Sequence, residues 1–76
     1  MVADDNRDLN DAMREMLIEH GFDVVQAFDG EEAFDLYSQT RPALVFLDYL
    51  MPKMDGVDVL EEIMTVDPDA LVQDEI

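Results

Sequence analysis

The sequence predicts an α/β fold, an open and doubly wound parallel sheet, and three observations carry that prediction. Segments of strand length and segments of helical period alternate three times along the 76 residues. The most apolar run, Ala43 to Leu47, has no polar face, as expected of a strand buried on both sides. That run ends on Asp48, and the carboxyl ends of strands are where open α/β sheets place their chemistry. The order strand, helix, strand, helix, strand, helix requires parallel strands joined by right-handed crossovers.

The first strand is the short segment Met1-Val2-Ala3, which leads into Asp4 and Asp5. Leu9, Ala12, Met13, Met16 and Leu17 then recur at the spacing of a helix lying on a core, with Asp8 as its expected N-cap. Gly21, after His20, has the place of a C′ glycine that stops this helix. Phe22 to Ala27 reads as the second strand around Val24 and Val25, and Asp29-Gly30 as a turn. From Glu31 the pattern is helical again, with Ala33, Leu36 and Tyr37 on one face and acids in the first turn, where the helix dipole favours them. Arg41-Pro42 breaks that helix. After the strand Ala43 to Leu47, Asp55 and Asp58 resemble a capping arrangement for a third helix, with Val57, Leu60, Ile63 and Met64 as its apolar stripe and Asp67-Pro68 as its end. Ala70-Leu71-Val72 begins like a fourth strand, but the acids Asp74 and Glu75 suit a frayed edge better than a buried strand.

Composition sets the limits. A chain of this length forms one domain at most, and buries only about 60% of its unfolded surface. Hydrophobic residues make up 49% of the chain, which argues for a folded segment rather than disorder. Twenty Asp and Glu face four Lys and Arg, a formal net charge of −16 that repels nucleic acid and anionic membranes. Such density of carboxylates, with Lys53 the one lysine, is the expectation for a chain adapted to a high-salt cytoplasm. The chain has no cysteine, so it has no disulfide and no thiolate metal site. No apolar run approaches the roughly 20 residues of a membrane span, nor does the start resemble a signal peptide, so a cytoplasmic location is expected.

If the segments ending at Asp4-Asp5 and at Asp48 are neighbouring parallel strands, three carboxylates converge on one edge of the sheet. Charging the end of a buried strand is costly unless something uses the charge, so the cluster is a candidate cation site. His20, the single histidine, is better explained by its place at a helix C-terminus than as a phosphocarrier. The six methionines read as core filling before they read as a binding surface.

These residues resemble the receiver domains of two-component response regulators. The resemblance rests on Val2-Ala3-Asp4-Asp5-Asn6, on Gly21-Phe22-Asp23-Val24 and Ala27-Phe28-Asp29-Gly30, and on Leu44-Val45-Phe46-Leu47-Asp48 followed by Met51-Pro52-Lys53-Met54-Asp55-Gly56. It runs from the first residue to about Val72. The resemblance implies a flavodoxin-like strand order, here an incomplete one of three βα units with a possible fourth strand, so that residues 1–76 would be a partial receiver domain. It also implies that Asp48 accepts a phosphoryl group from a histidine kinase or phosphotransfer protein. By the same similarity Mg2+ is held by Asp4, Asp5, Asp48 and the backbone carbonyl of Leu50. Mg2+ prefers octahedral oxygen ligation at about 2.1 Å and keeps several waters, so a few protein oxygens suffice.

Family members also carry a Ser or Thr at the end of a fourth strand and a Lys at the end of a fifth, and neither has a counterpart in this sequence. Lys53 lies in the loop, at a place that varies in the family, and is expected to be an exposed side chain. By the family's strand order the third strand, Ala43 to Leu47, would be an exposed edge, which, for a chain of no more than these 76 residues, leads to the expectation of a homodimer or swapped assembly. Two rival readings remain. A phosphatase of the haloacid-dehalogenase type places a second Asp two residues after its nucleophile, and Leu50 stands there instead. A receiver-like interaction or dimerisation module that does not switch is favoured by the missing Ser or Thr and Lys, and opposed by the Asp4, Asp5 and Asp48 cluster. The expectation is a signalling phosphoacceptor rather than an enzyme.

Overall fold

The computed structural model describes residues 1–51 and 56–74. Four parallel strands, β1 (Val2–Ala3), β2 (Gln26–Ala27), β3 (Val45–Leu47) and β4 (Val72–Asp74), form one sheet in the order β2-β1-β3-β4. Three helices connect them: α1 (Arg7–Glu19), α2 (Gly30–Thr40) and α3 (Gly56–Val66). The fold is the flavodoxin-like doubly wound sheet that the sequence implies, and the possible fourth strand is present.

Alternation along the strands divides the sheet into two faces. Ala3, Ala27, Val45 and Leu47 point to one side and pack with Ala33 and Tyr37 of α2 and with Val59 and Ile63 of α3, forming the core. Val2, Gln26 and Phe46 point to the other side, the side of α1, where Gln26 hydrogen-bonds to Asn10 and Asp11. Near the foot of the sheet Tyr37 Oη donates to Asp67 Oδ2 at 2.8 Å, tying α2 to the end of α3.

Local chemistry explains where the helices begin and end. The side chain of Asn6, not of Asp8, caps α1 by accepting from Leu9 N at 3.1 Å, and Asp8 falls in the first turn. Gly21, at φ 90°, closes α1: Gly21 N donates to Ile18 O and Phe22 N to Leu17 O, the paired bonds of a Schellman motif. His20 does sit at this helix end, with Nδ1 2.8 Å from Met16 O. Asp29 caps α2, with Glu32 N donating to Asp29 Oδ1, and Glu32 Oε1 reaches back one residue further to accept from Phe28 N.

Several expectations are corrected. The α1 stripe is rotated: Leu9 is 46% exposed and Met16 51%, Ala12 is exposed, and the residue buried against the sheet is Asn10, with Met13 and Leu17 half-buried along the same line. Among the described residues α1 is the helix on this side of the sheet, and the flanks of its apolar stripe are exposed. In α3 the buried positions are Val59 and Ile63, while Val57 and Met64 are exposed. The second strand is shorter than Phe22 to Ala27, although Val2 N still bonds to Val25 O. Met1 and Met51 fill the core, whereas Met16 and Met64 lie at the surface. β3 is not an edge, because β4 pairs with it in parallel. The expectations for Lys53 and for the cap at Asp55 fall outside the described residues.

Candidate metal and phosphoryl site

β1 ends at Ala3 and β3 at Leu47, paired in register, so the next residue of each strand is an aspartate. Crossovers leave β1 toward β2 on one side and return to β3 on the other, so the two carboxylates flank the point where the winding reverses. Open α/β sheets leave a crevice for ligands at that point. Backbone bonds fix both ends: Asp4 N donates to Ala27 O at 3.0 Å, and Asp48 N to Ala3 O at 2.9 Å.

The structure brings together the three acids that the sequence singles out. Carboxylate oxygens of Asp4, Asp5 and Asp48 lie within 4.8 Å of one another. Asp4 is buried, Asp48 half-buried and Asp5 exposed, so the cluster opens from the sheet to solvent. Asp4 Oδ1 accepts from Asn6 N at 2.9 Å, and Asp48 Oδ1 accepts from Leu50 N at 2.9 Å. Each acid therefore keeps oxygen lone pairs for another partner. Burial pushes the Asp48 carboxyl above the usual carboxylate range; the charges of Asp4 and Asp5 push the same way, and the Leu50 N–H opposes them.

That donor set suits a hard divalent cation. It is oxygen only, compact, and holds negative charge that burial leaves poorly compensated, conditions under which Mg2+ binds carboxylates while retaining waters. Leu50 contributes its N–H to this arrangement, and its side chain is 79% exposed.

The turn after Asp48 depends on Gly56, the first residue of α3. Gly56 N donates to Tyr49 O at 3.0 Å. A Cβ on Gly56 would run into Tyr49 Cα and lie 2.5 Å from Asp48 O, so only glycine lets α3 start against this strand end. The glycine in Met51 to Gly56 is thus a packing requirement of the site as well as part of a turn. Asn10, in contrast, carries no sequence signal as a site residue. A lone Asn inside an amphipathic helix reads as solvated, and only the rotation of α1 places it beneath Asp4.

An acidic crevice at the switch point of a flavodoxin-like sheet defines a class of α/β protein with a candidate cation site, and comparison with known proteins identifies the family. The family model for the response regulator receiver domain matches residues 1–73, and the chain belongs to that family. It is 38% identical over 69 residues to the response regulator MprA of Mycolicibacterium vanbaalenii, covering 91% of this chain and 30% of that protein. It is 41% identical over 73 residues to the protein CcdB of Bacillus subtilis, covering 95% of this chain and 61% of that protein. Among solved structures, the receiver domain of NtrX from Brucella abortus superposes with a TM-score of 0.91 at 32% identity, over 96% of this chain and 62% of that one. The CheY of a CheX-CheY-BeF3-Mg2+ complex from Borrelia burgdorferi does so with a TM-score of 0.91 at 36% identity, over 96% and 57%. The chain therefore spans less than two thirds of the length of these relatives. Receiver domains are modules of two-component signalling that bind Mg2+ at an acidic pocket and interact with histidine kinases or phosphotransfer proteins, and the Asp4, Asp5 and Asp48 cluster fits such a pocket. Among the described residues no helix is long and apolar enough to cross a membrane.

Proposed function

We propose that this chain is a phosphoacceptor: Asp48 takes a phosphoryl group from a phosphohistidine donor, with Asp4, Asp5 and the carbonyl of Leu50 completing the Mg2+ site. The observation that carries the reading is the convergence of three carboxylates at the switch point, one buried, one half-buried and one exposed. A carboxylate oxygen of Asp48 attacks phosphorus, the O–P bond forms as the N–P bond breaks, and the imidazole leaves with the electron pair and takes up a proton. Both reactants are anionic, so alignment and charge neutralisation supply most of the catalysis. Bound Mg2+ supplies that neutralisation. Asp48, half-buried between buried Asp4 and exposed Asp5, is the nucleophile in this reading, with Asp4 and Asp5 as ligands. The CheY in the Borrelia burgdorferi complex is recorded with BeF3 and Mg2+, which supports a metal-dependent acceptor here by analogy.

Acetyl phosphate tests the reading directly, because acetate leaves in place of imidazole. Asp48→Asn should abolish labelling while the circular dichroism spectrum is unchanged. Labelling that survives the substitution defeats the assignment.

The alternative, a receiver-like module that associates without switching, has one observation in its favour. Leu44, Phe22 and Leu71 are exposed, and an apolar groove of about 590 Å³ lined by Met1, Leu17, Phe22, Val24, Leu44 and Phe46 lies beside α1. Self-association, if it occurs, belongs to this face rather than to β3, whose edge β4 occupies. Light scattering at high salt distinguishes a dimer from a monomer. A cytoplasmic location belongs to the same proposal, and cell fractionation tests it.

A further inference from the structure

Asn10 is fully buried, yet it is polar and sits in the middle of α1's inner line. Its Nδ2 donates to Asp4 O at 3.0 Å and to Ala27 O at 2.9 Å, with Val2 O farther off at 3.5 Å. Its Oδ1 accepts from Gln26 Nε2 at 2.9 Å, and the same Nε2 lies 2.8 Å from Asp11 Oδ1. Asp4 O belongs to the peptide unit that joins Asp4 to Asp5. The N–H on the other side of Asp4 is held by Ala27 O, the carbonyl that Asn10 also grips. One amide therefore pins the backbone from which two of the three acids of the pocket project.

We infer that Asn10 is the positioning residue of the acidic pocket: by fixing the Asp4–Asp5 peptide unit against β2 it sets the aim of both carboxylates toward Asp48 and so the affinity for a divalent cation. This rests on the reading of the pocket as a Mg2+ site. Without the amide, Asp4 O would lose a buried donor and the peptide unit could rotate, spreading the carboxylates before any cation arrives. Groups that orient metal ligands from behind act in this way, and their loss typically weakens binding by about 10–100-fold.

A merely structural role would lower stability and leave affinity alone, so the test separates the two. Mg2+ is titrated into the wild-type protein, Asn10→Ala and Val59→Ala, following Tyr49 fluorescence next to Asp48, at a KCl concentration where circular dichroism shows all three folded. Val59 is fully buried in the core on the opposite face of the sheet and serves as the control for lost stability. The expected result is an affinity reduced by about tenfold or more in Asn10→Ala and unchanged in Val59→Ala. Equal affinity in Asn10→Ala and wild type overturns the inference, as does an equal loss in both variants. If Asn10→Ala does not fold, Gln26→Ala, which frees the outer oxygen of Asn10, replaces it; a weakened Mg2+ response supports the inference and an unchanged one overturns it. A wild-type protein that gives no Mg2+ response removes the metal reading itself, an outcome distinct from the failure of Asn10 alone.

Discussion

Asp48 is drawn out of water and set beside two other acids, and the energetic consequence has a definite sign. Its carboxyl holds a proton more readily in the folded chain than in the unfolded one, so in the window between the two pKa values the native state binds more protons. Stability contributed by this group is therefore present at low pH and is lost as pH rises through the raised, folded-state pKa. In the absence of Mg2+, Asp48→Asn should raise the melting temperature by a few degrees at pH 7 and flatten this part of the pH profile. Thermal melts across the acid range check it, and a variant that is less stable than wild type at pH 7 would contradict it. Added Mg2+ should stabilise the wild type and leave the variant almost unmoved. Gly56 acts at the same place by sterics. The added Cβ of Gly56→Ala has backbone on Asp48 and Tyr49 as its neighbours, which cannot swing aside, so the change should cost about 1–3 kcal/mol in denaturant unfolding and also disturb labelling of Asp48.

At the scale of elements, the end of α1 and the start of α2 were legible in the sequence, whereas the N-cap of α1 was not: Asn6 takes the place expected of Asp8. Gly21 ends α1 as its place after His20 suggests, and Asp29-Gly30 marks the start of α2 because the aspartate side chain takes an N–H that the first turn cannot satisfy. Asp29→Ala should destabilise the protein by about 1 kcal/mol in urea unfolding, since it removes the N-cap side chain that takes the Glu32 N–H. The inner face of α1 was not legible. Counting apolar residues favours the line through Leu9 and Met16, whereas the sheet beneath offers the carbonyls of Asp4 and Ala27 and the amide of Gln26, which only a polar side chain can satisfy. That demand turns Asn10 inward and leaves Leu9 and Met16 at the surface. Position of the acids was readable for the opposite reason: Asp4 and Asp48 each follow an apolar strand, so parallel pairing alone brings them together. Burial of Asp4 and the hydrogen bonds that orient it required the partners supplied by Asn6 and Asn10, which are distant from Asp48 in sequence.

For the molecule as a whole, charge opposes the fold that packing favours. A formal net charge of −16 on 76 residues produces self-repulsion that mobile ions screen within about 8–10 Å at 0.1–0.15 M ionic strength. Stability should therefore rise steeply with KCl, and circular dichroism melts over a KCl series read this out; a melting temperature independent of salt would refute the salt-adapted reading. The same sheet is covered unevenly, with α2 and α3 over one face and α1 over part of the other, which leaves Leu71 66% exposed beside β4. The clustered carboxylates Asp4, Asp5 and Asp48 lie at the carboxyl end of this sheet, away from the apolar groove at the amino end. The central claim is that this end takes a phosphoryl group on one particular oxygen donor. It is tested most directly by treating the protein with acetyl phosphate and Mg2+, reducing the acyl phosphate with borohydride and locating the resulting homoserine by peptide mass spectrometry. The account predicts conversion at Asp48 that requires Mg2+; conversion at Asp4, Asp5 or elsewhere, or at Asp48 equally well without the metal, would contradict it.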